Sequence, residues 1–377
     1  LSLSPFDIVA STRHEDVVHV SKNPKVFSSG AGLTMLEEVE PESLEKRRSL
    51  IDSDAPLHNH LRRVVSPLFT PKAIAEHEAF ARATAARLVD AATARSEFDW
   101  VLDVAEPLPI TVLLNILGVP PEDADRMITL SNQMIAIDDP DYAPDYDSLP
   151  PGVDPKDLPF GSPASYHVFE YGRRIGEERR AHPQDDLVSR LVHADVDGDS
   201  LSELEYCNMF QILILAGNET TRTTLTHGMK AFIDNPDQWD LLRERPELMD
   251  SAVEEIIRWA TPVLYMRRTA TEDTELRGQA IRAGDKVVMW YMSANYDEAV
   301  FDDPHAFDIA RDPNPHLGFG GGGPHFCLGA WLARLQIRVM FEECLARDLR
   351  LASDGPVRRV RSNFVNGVKS MPVRVAG

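Results

Sequence analysis

The sequence predicts a mainly α-helical protein with a small β portion, and three observations carry that prediction. Long stretches of strong helix formers begin at residues that favour helix starts. Segments rich in β-branched residues are few and short. Hydrophobic residues make up 43% of the chain and charged residues 26%, as in an ordinary globular protein. The length of 377 residues, taken alone, suggests about two domains.

Helical patterns follow one another along the chain. Thr70, followed by proline, is typical of an N-cap and opens a predicted helix over Thr70–Ala94. The Pro, Asp and Gly residues of Asp138–Pro163 predict a mobile surface loop, and a long helix is predicted over Ser202–Asp234. β-Branched residues and two glycine turns predict short strands within Met266–Tyr291. The other predicted helices span residues 120–137, 165–182 and 246–261.

Composition argues against several classes of function. The net charge of -21 would repel a phosphate backbone, so nucleic acid is not an expected partner. Three cysteines without a CxxC pair support neither a disulfide framework nor a zinc ribbon. The most apolar stretch, Met209–Gly217, is too short for a transmembrane segment, and no signal peptide is recognisable, so we expect a cytoplasmic protein. Because Leu1 is not a start methionine, we expect further residues before it.

The segment Gly318–Arg338, GFGGGGPHFCLGAWLARLQIR, places Cys327 after a glycine run and before a predicted helix. A phosphate-binding loop is disfavoured, because the run lacks both the Gly-Lys of a Walker loop and a Rossmann strand–helix context. Glycines let backbone amides approach closely, and the positive end of the following helix favours a thiolate. From the residues alone, Cys327 is either such a thiolate ligand or a small buried apolar side chain.

This segment resembles the haem-binding loop of the cytochrome P450 family. The resemblance implies that Cys327 is the axial iron ligand of haem b, iron protoporphyrin IX. Phe319 lies eight positions before Cys327, whereas the common family pattern has seven. In this departure the chain resembles actinobacterial enzymes that oxidise methyl-branched lipids and sterol side chains. The resemblance covers almost the whole chain, which implies one domain over residues 1–377 with the P450 fold, its large helical part and small β-rich part enclosing haem.

The stretch AGNETT, Ala216–Thr221, lies in the middle of the predicted long helix. Threonine hydroxyls can bond to carbonyls one turn earlier, which weakens the local hydrogen-bond ladder. The family resemblance makes Glu219 the acid and Thr220 the hydroxyl of the catalytic pair that delivers protons during oxygen activation. Without that resemblance, a polar patch on a long helix accounts for the stretch equally well.

Two further groups of residues match family positions. Glu255 and Arg258 share a helix face, and an isolated pair of this kind is usually a solvated salt bridge of little value. The resemblance instead implies a buried structural triad that Arg311 completes. The residues that it assigns to the haem propionates are His58, Arg62, Arg268 and His325.

The implied activity is that of a monooxygenase, which uses O2 to hydroxylate a C–H bond of a hydrophobic branched lipid, sterol or terpenoid. Electrons from NAD(P)H are expected to arrive through a separate ferredoxin reductase and ferredoxin. A basic patch that includes Arg334 and Arg338 would attract an acidic ferredoxin. We expect a monomer.

An apolar pocket is required to hold such a substrate and exclude water. The residues expected to line it are Met35, Leu36, Leu213, Ala216, Val263, Leu264, Phe364 and Val365. Two alternatives remain open: a peroxygenase that uses peroxide directly, and a non-catalytic haem sensor or carrier. The presence of Glu219 and Thr220 argues against both.

Overall fold

The structure, a computed structural model, describes residues 2–3, 8–196 and 199–376. The ends of the predicted domain 1–377 and residues 197–198 therefore lie outside the described residues. The α-helices are α1 His14–Lys22, α2 Pro41–Arg47, α3 Leu57–Val65, α4 Pro71–Ala75, α5 Glu78–Thr93, α6 Pro107–Leu117, α7 Ala124–Ile135, α8 Pro163–Ala181, α9 Leu187–Val192, α10 Glu203–Asp234, α11 Pro236–Glu244, α12 Met249–Ala260, α13 Tyr291–Asn295 and α14 Ala330–Ala346.

The strands are short and form one larger sheet and several small ones. They are β1 Ser2–Leu3, β2 Ile8–Ser11, β3 Phe27–Ser28, β4 Glu97–Asp99, β5 Asp195–Val196, β6 Asp199–Ser200, β7 Tyr265–Ala270, β8 Thr274–Leu276, β9 Gln279–Ile281, β10 Lys286–Trp290, β11 Leu351–Ser353, β12 Arg358–Arg359, β13 Val368–Ser370 and β14 Pro372–Val375. The larger sheet has the order β1-β2-β10-β7-β3, and β11, β14 and β4 form a three-stranded sheet. The mainly α prediction, with strands concentrated after α12, is confirmed.

Helix α10 is the axis around which the helical part packs. It begins at the predicted position because a capping box forms there. The Ser202 side chain accepts a hydrogen bond from the Glu205 amide, and the Glu205 side chain accepts one from the Ser202 amide. Most of its 32 residues are buried, and α6, α7, α8, α12 and α14 all contact it. A helix buried on nearly every side needs apolar residues all round, which explains its weak amphipathic pattern.

The predicted helix over Thr70–Ala94 forms as two helices, α4 and α5. Thr70 caps α4, with its Oγ1 accepting the amide of Ala73 at 3.3 Å, as the sequence predicts. The amides of Glu76 and His77 then donate to carbonyls only three residues earlier, which tightens the turn and interrupts the α-helical ladder. The predicted loop over Asp138–Pro163 consists of short 3-10 turns up to the start of α8.

The glycine run lies between α13 and α14 and packs against α1 and α12. A Cβ atom added to Gly321 would lie 2.5 Å from Ser21 Oγ and 3.0 Å from the Val17 carbonyl oxygen of α1. Gly323 has a φ of +75° and lies against the Ser21 backbone, so a side chain there would meet both strain and a clash. Glycine is therefore required for this loop to sit on α1 and lead Cys327 toward α14.

Within the described ranges 2–3, 8–196 and 199–376, no helix has the length and apolar character needed to cross a lipid bilayer.

Candidate functional site

Cys327 lies at the end of the glycine loop, three residues before α14 begins. Its amide donates to the Phe319 carbonyl oxygen at 3.0 Å, which closes the loop. Its side chain is accessible, yet protein surrounds the sulfur closely enough that burial raises the thiol pKa. The sulfur therefore faces an internal opening rather than the outer surface. The amide of Gly329 and the guanidinium of Arg62 act in the opposite direction on this pKa but do not outweigh burial.

The four residues expected at the haem propionates converge beside this loop. The imidazole rings of His58 on α3 and His325 in the loop lie 4.2 Å apart between centroids. Arg62, one helical turn after His58, donates from Nη2 to the Phe326 carbonyl oxygen at 2.7 Å. Arg268 on β7 is buried and is close enough to both imidazoles to lower their pKa values. Residues separated by more than 260 positions in the sequence therefore form one cluster.

The cluster is rich in donors and poor in acceptors. Arg268 Nη1 donates to the Arg267 carbonyl oxygen at 2.7 Å, and among the described residues no carboxylate forms an ion pair with Arg268. His58 Nε2 is buried without a hydrogen-bond partner in the described part of the chain. Burial and the nearby Arg268 lower the pKa of His325 to about 2, so its ring is neutral, with Nε2 3.0 Å from Ser29 Oγ. An unpaired buried arginine is costly, so this cluster is suited to an anionic group.

Glu255, Arg258 and Arg311 form one buried ion cluster. Arg258 binds the Glu255 carboxylate through two hydrogen bonds of 2.7 Å, and both side chains are inaccessible to solvent. Arg311 Nε donates to Glu255 Oε2 at 3.1 Å. Asn314 Nδ2 and the amide of Asp308 add further hydrogen bonds of 3.0 Å to the same carboxylate. The three residues that the resemblance groups together are thus in contact.

This cluster is connected to the start of the cysteine loop. Arg258 Nη1 donates to the Asn295 carbonyl oxygen at 2.9 Å. Asn295, buried at the end of α13, accepts the Leu317 amide with its side-chain oxygen at 2.6 Å and donates to Thr261 Oγ1. Leu317 immediately precedes the glycine run, so the cluster holds the loop at its N-terminal end.

Glu219 and Thr220 make their hydrogen bonds within α10. Thr220 Oγ1 donates to the Ala216 carbonyl oxygen at 2.8 Å, as its position in a helix favours. The Glu219 carboxylate is buried, pairs with Arg222 and accepts Thr223 Oγ1 at 3.1 Å. Burial opposes the charge on Arg222, but the Glu219 and Glu106 carboxylates outweigh it and raise the Arg222 pKa. The i, i+3 spacing of Glu219 and Arg222 is the sequence signal that could have predicted this pair.

Three of the four elements that carry the expected pocket residues contact one another. The Leu264 amide donates to the Phe364 carbonyl oxygen at 2.9 Å, and Val263 pairs with Val365 in an isolated bridge. The Leu36 amide donates to the hydroxyl of Tyr265, whose ring contacts Phe364 edge to face. Met35 packs against the same apolar core, as does Leu213 of α10. Ala216 is exposed on a helix whose flanking residues are buried, so it faces an internal opening.

A groove formed by α4, α5, α12 and α14 lies next to the cysteine loop. Phe326 and Trp331 are exposed there, at 39% and 48%. The predicted basic patch is not present as expected. Arg334 is bound by Glu254 through hydrogen bonds of 2.6 and 2.7 Å, and Arg338 pairs with Glu78 at 3.0 Å. Both carboxylates are distant in sequence from the arginines that they neutralise, so no local pattern could predict this pairing.

Comparison with known proteins decides the family. A sequence profile described as Cytochrome P450 matches residues 166–347. A methyl-branched lipid omega-hydroxylase of Mycobacterium tuberculosis is 44% identical over 370 residues, which are 97% of this chain and 83% of that enzyme. The chain belongs to the cytochrome P450 family. This P450 is also 42% identical to a steroid C26-monooxygenase of Mycolicibacterium smegmatis, over 97% of this chain and 83% of that enzyme.

The fold agrees with the family assignment. A solved Mycobacterium marinum cytochrome P450 in complex with pseudoionone superimposes with a TM-score of 0.87 at 41% identity, over 97% of this chain and 86% of that one. The chain is therefore a P450 oxidoreductase of the monooxygenase class, and membership of the family implies haem iron and the use of O2.

The residues of this chain fit haem. The side chains of His58, Arg62, Arg268 and His325, of which His58 and Arg268 are buried, suit two propionates, and the accessible sulfur of Cys327 lies beside them. In the described residues no group of three His, Cys, Asp or Glu side chains could hold a metal ion.

Proposed function

We propose that this P450 hydroxylates a C–H bond of a hydrophobic, lipid-like substrate, a branched lipid, sterol or terpenoid, with O2 and electrons from a separate ferredoxin. The observation that carries the proposal is the convergence of Cys327 with four cationic or imidazole side chains, two of them buried, that form no ion pair with a carboxylate in the described part of the chain. The relatives named for branched-lipid and steroid oxidation support the substrate class. The single apolar core that runs through the helical part supports one domain over residues 1–377.

Haem would be held by the Cys327 sulfur at its iron and by His58, Arg62, Arg268 and His325 at its propionates. When bound, the group supplies the activation of O2 that oxygen insertion requires. The charge match supports this role: a propionate would give Arg268 the anionic partner that its buried position otherwise lacks. His58 Nε2 would gain an acceptor in the same way.

Thr220 and Glu219 are proposed to pass protons toward the reacting oxygen. Thr220 Oγ1 holds a proton that it shares with the Ala216 carbonyl, and a rotation about χ1 would aim that proton away from the helix. Glu219 accepts hydrogen bonds from Arg222 and Thr223, so its carboxylate is available to relay a proton only after its ion pair with Arg222 opens. The buried pair would thus restrict proton supply to the times when this contact breaks.

The triad of Glu255, Arg258 and Arg311 is proposed to keep the cysteine loop in register through Asn295 and Leu317. The pocket residues are proposed to surround the substrate and exclude water from it. Their apolar character supports that role.

A ferredoxin is proposed to bind at the groove that exposes Phe326 and Trp331. Phe326, which lines the groove, immediately precedes Cys327, so a partner bound there would lie close to the sulfur. Because Glu254 and Glu78 neutralise the nearby arginines, contact with the aromatic side chains replaces the basic patch as the main source of affinity.

The proposal is tested by incubating the haem-loaded protein with a ferredoxin, its reductase, NADPH and a panel of branched fatty acids, sterols and isoprenoids. We expect a hydroxylated product from at least one class, dependent on O2 and on all three electron-transfer components. Product from hydrogen peroxide alone at a higher rate would favour a peroxygenase. Trp331→Ala should raise the KM for ferredoxin and leave substrate affinity unchanged, whereas Leu102→Ala, an exposed residue outside the groove, should change neither.

A further inference from the structure

A separate cavity lies between α2, the segment Leu33–Met35, the turn at Pro159–Gly161 and the first half of α10. Leu33, Met35, Ile51, Phe160 and Ile212 form its apolar wall. Met35 is also among the residues expected at the substrate, and Ile212 precedes Leu213 on α10. The cavity is therefore next to the proposed substrate space, at the end farther along α10 from Thr220.

Arg47, the last residue of α2, lines this cavity although its side chain is only 3% exposed. Its Nη1 and Nη2 donate to the two carboxylate oxygens of Glu37 at 2.8 and 2.7 Å. Its Nε is buried without a hydrogen-bond partner in the described part of the chain. A buried, unpaired donor on a charged group is unfavourable, so an oxygen that enters the cavity and accepts from Nε would be stabilised.

Two amides of α10 lie on the same wall. Asn208 and Gln211 are three residues apart and so share a helix face. Asn208 Nδ2 donates to the Arg48 carbonyl oxygen at 2.9 Å, and Gln211 Nε2 donates to Met134 Sδ at 3.4 Å. These contacts engage the amide nitrogens and leave the amide oxygens as the groups able to accept a hydrogen bond from a ligand.

The charges around Arg47 disfavour an anion. Glu37 already binds the guanidinium through both terminal nitrogens, and the carboxyl of Asp52 lines the same cavity. The carboxyl of Asp52 accepts hydrogen bonds from the amide and hydroxyl of Thr34 and from the hydroxyl of Ser49, and burial raises its pKa. A ligand carboxylate would lie beside this buried carboxyl and the Glu37 carboxylate, with no free cation among the lining residues to offset its charge.

We propose that this cavity binds the hydroxyl end of a neutral lipid alcohol, with Arg47 Nε donating a hydrogen bond to the hydroxyl oxygen and the Gln211 or Asn208 amide oxygen accepting a hydrogen bond from the hydroxyl. A hydroxyl both accepts and donates, whereas a ketone only accepts and a carboxylate is repelled. Gln211 precedes Thr220 by nine residues, or about 13 Å along α10, so the carbon oxidised lies at the opposite end of the substrate. This inference rests on the proposed function and narrows its substrate class to lipid alcohols, sterols included.

The test compares farnesol, farnesal and farnesoic acid, which share one methyl-branched skeleton and differ in the terminal oxygen group. Calorimetric titration of the haem-loaded protein should give the lowest Kd for farnesol, about tenfold or more below that for farnesoic acid. Arg47→Lys keeps a cation for Glu37 but lacks Nε, and it should weaken farnesol binding about tenfold with little effect on the acid. Gln211→Leu, on a different element, should reduce the preference for farnesol over farnesal.

Arg190→Lys is the matched control, since it makes the same substitution at an exposed side chain outside the cavity. It should leave all three Kd values unchanged. Tighter binding of farnesoic acid than of farnesol, or equal effects of Arg47→Lys and Arg190→Lys, would overturn the inference. If all three compounds bind and are hydroxylated, and their Kd values depend neither on the terminal group nor on Arg47, this inference alone is wrong. If none of them binds and no lipid is oxidised, the proposed function fails as well.

Discussion

Replacing Glu255 by Gln should destabilise the protein far more than the loss of one surface ion pair. Its Oε1 accepts from Arg258 Nη2 and the Asp308 amide, and its Oε2 accepts from Arg258 Nε, Arg311 Nε and Asn314 Nδ2. Whichever oxygen becomes an amide nitrogen, at least two donors then face a donor. Two guanidinium groups also lose their buried anion. Breaking a buried pair in this way costs about 3–5 kcal/mol of unfolding free energy.

The assay is urea unfolding of the haem-loaded protein, followed by far-ultraviolet circular dichroism and by Soret absorbance. We expect Glu255→Gln to lose Soret absorbance at lower urea than backbone signal, because Arg258 and Asn295 connect the cluster to the cysteine loop. Glu247→Gln is the control, since its pair with Arg245 is exposed and its removal should not be measurable. An unchanged unfolding midpoint and full haem content in Glu255→Gln would refute the role of the cluster as the support of this loop.

Three further predictions follow from the site. Thr220→Ala should retain haem but divert electrons to peroxide, which lowers the amount of product formed per NADPH. Thr226→Ala, which loses a similar hydrogen bond to a carbonyl one turn earlier, should leave that yield unchanged. Equal product yields in the two variants would contradict the proton role of Thr220. Arg268→Met should stabilise the haem-free protein and speed haem transfer to apomyoglobin, because burial lowers the Arg268 pKa and no carboxylate pairs with it among the described residues; equal transfer rates would contradict the propionate role. Burial opposes ionisation of Glu254, but hydrogen bonds from Arg334 and a histidine lower its pKa to about 2. The stabilising effect of the Glu254 carboxylate is therefore complete above about pH 4.5 and is lost as the pH falls toward 2. The difference in unfolding free energy between the parent and Glu254→Gln should shrink over that window. A difference that stays constant with pH would contradict this prediction.

Local sequence signals predicted the elements whose causes are local. The capping box of Ser202 and Glu205 marks the start of α10, and Thr70 marks the start of α4, because each cap is satisfied within one turn. The break between α4 and α5 at Glu76 and His77 could not be predicted in this way, because the sequence has no proline or glycine there. The order of several short motifs predicted the fold, which no single motif would have done.

Features that depend on distant residues could not be predicted in this way. Arg334 and Arg338 suggest a basic patch when only their own helix is considered, but Glu254 and Glu78 neutralise them from two other helices. The pKa of Cys327 depends on how much protein surrounds the sulfur, and the sequence neighbours of a cysteine do not report that. Arg47 was missed for the same reason, since its burial results from contacts among α2, α10 and the turn at Pro159–Gly161.

The central claim is that the sulfur of Cys327 is the protein ligand of the haem iron, and the carbon monoxide difference spectrum of the reduced protein tests it most directly. We expect the long-wavelength Soret band of thiolate-ligated haem in the parent protein and in the control Cys344→Ala, which removes a buried thiol near the C-terminal end of α14. Cys327→Ala should lose that band. The band's persistence in Cys327→Ala, or its absence from the haem-loaded parent, would contradict the assignment.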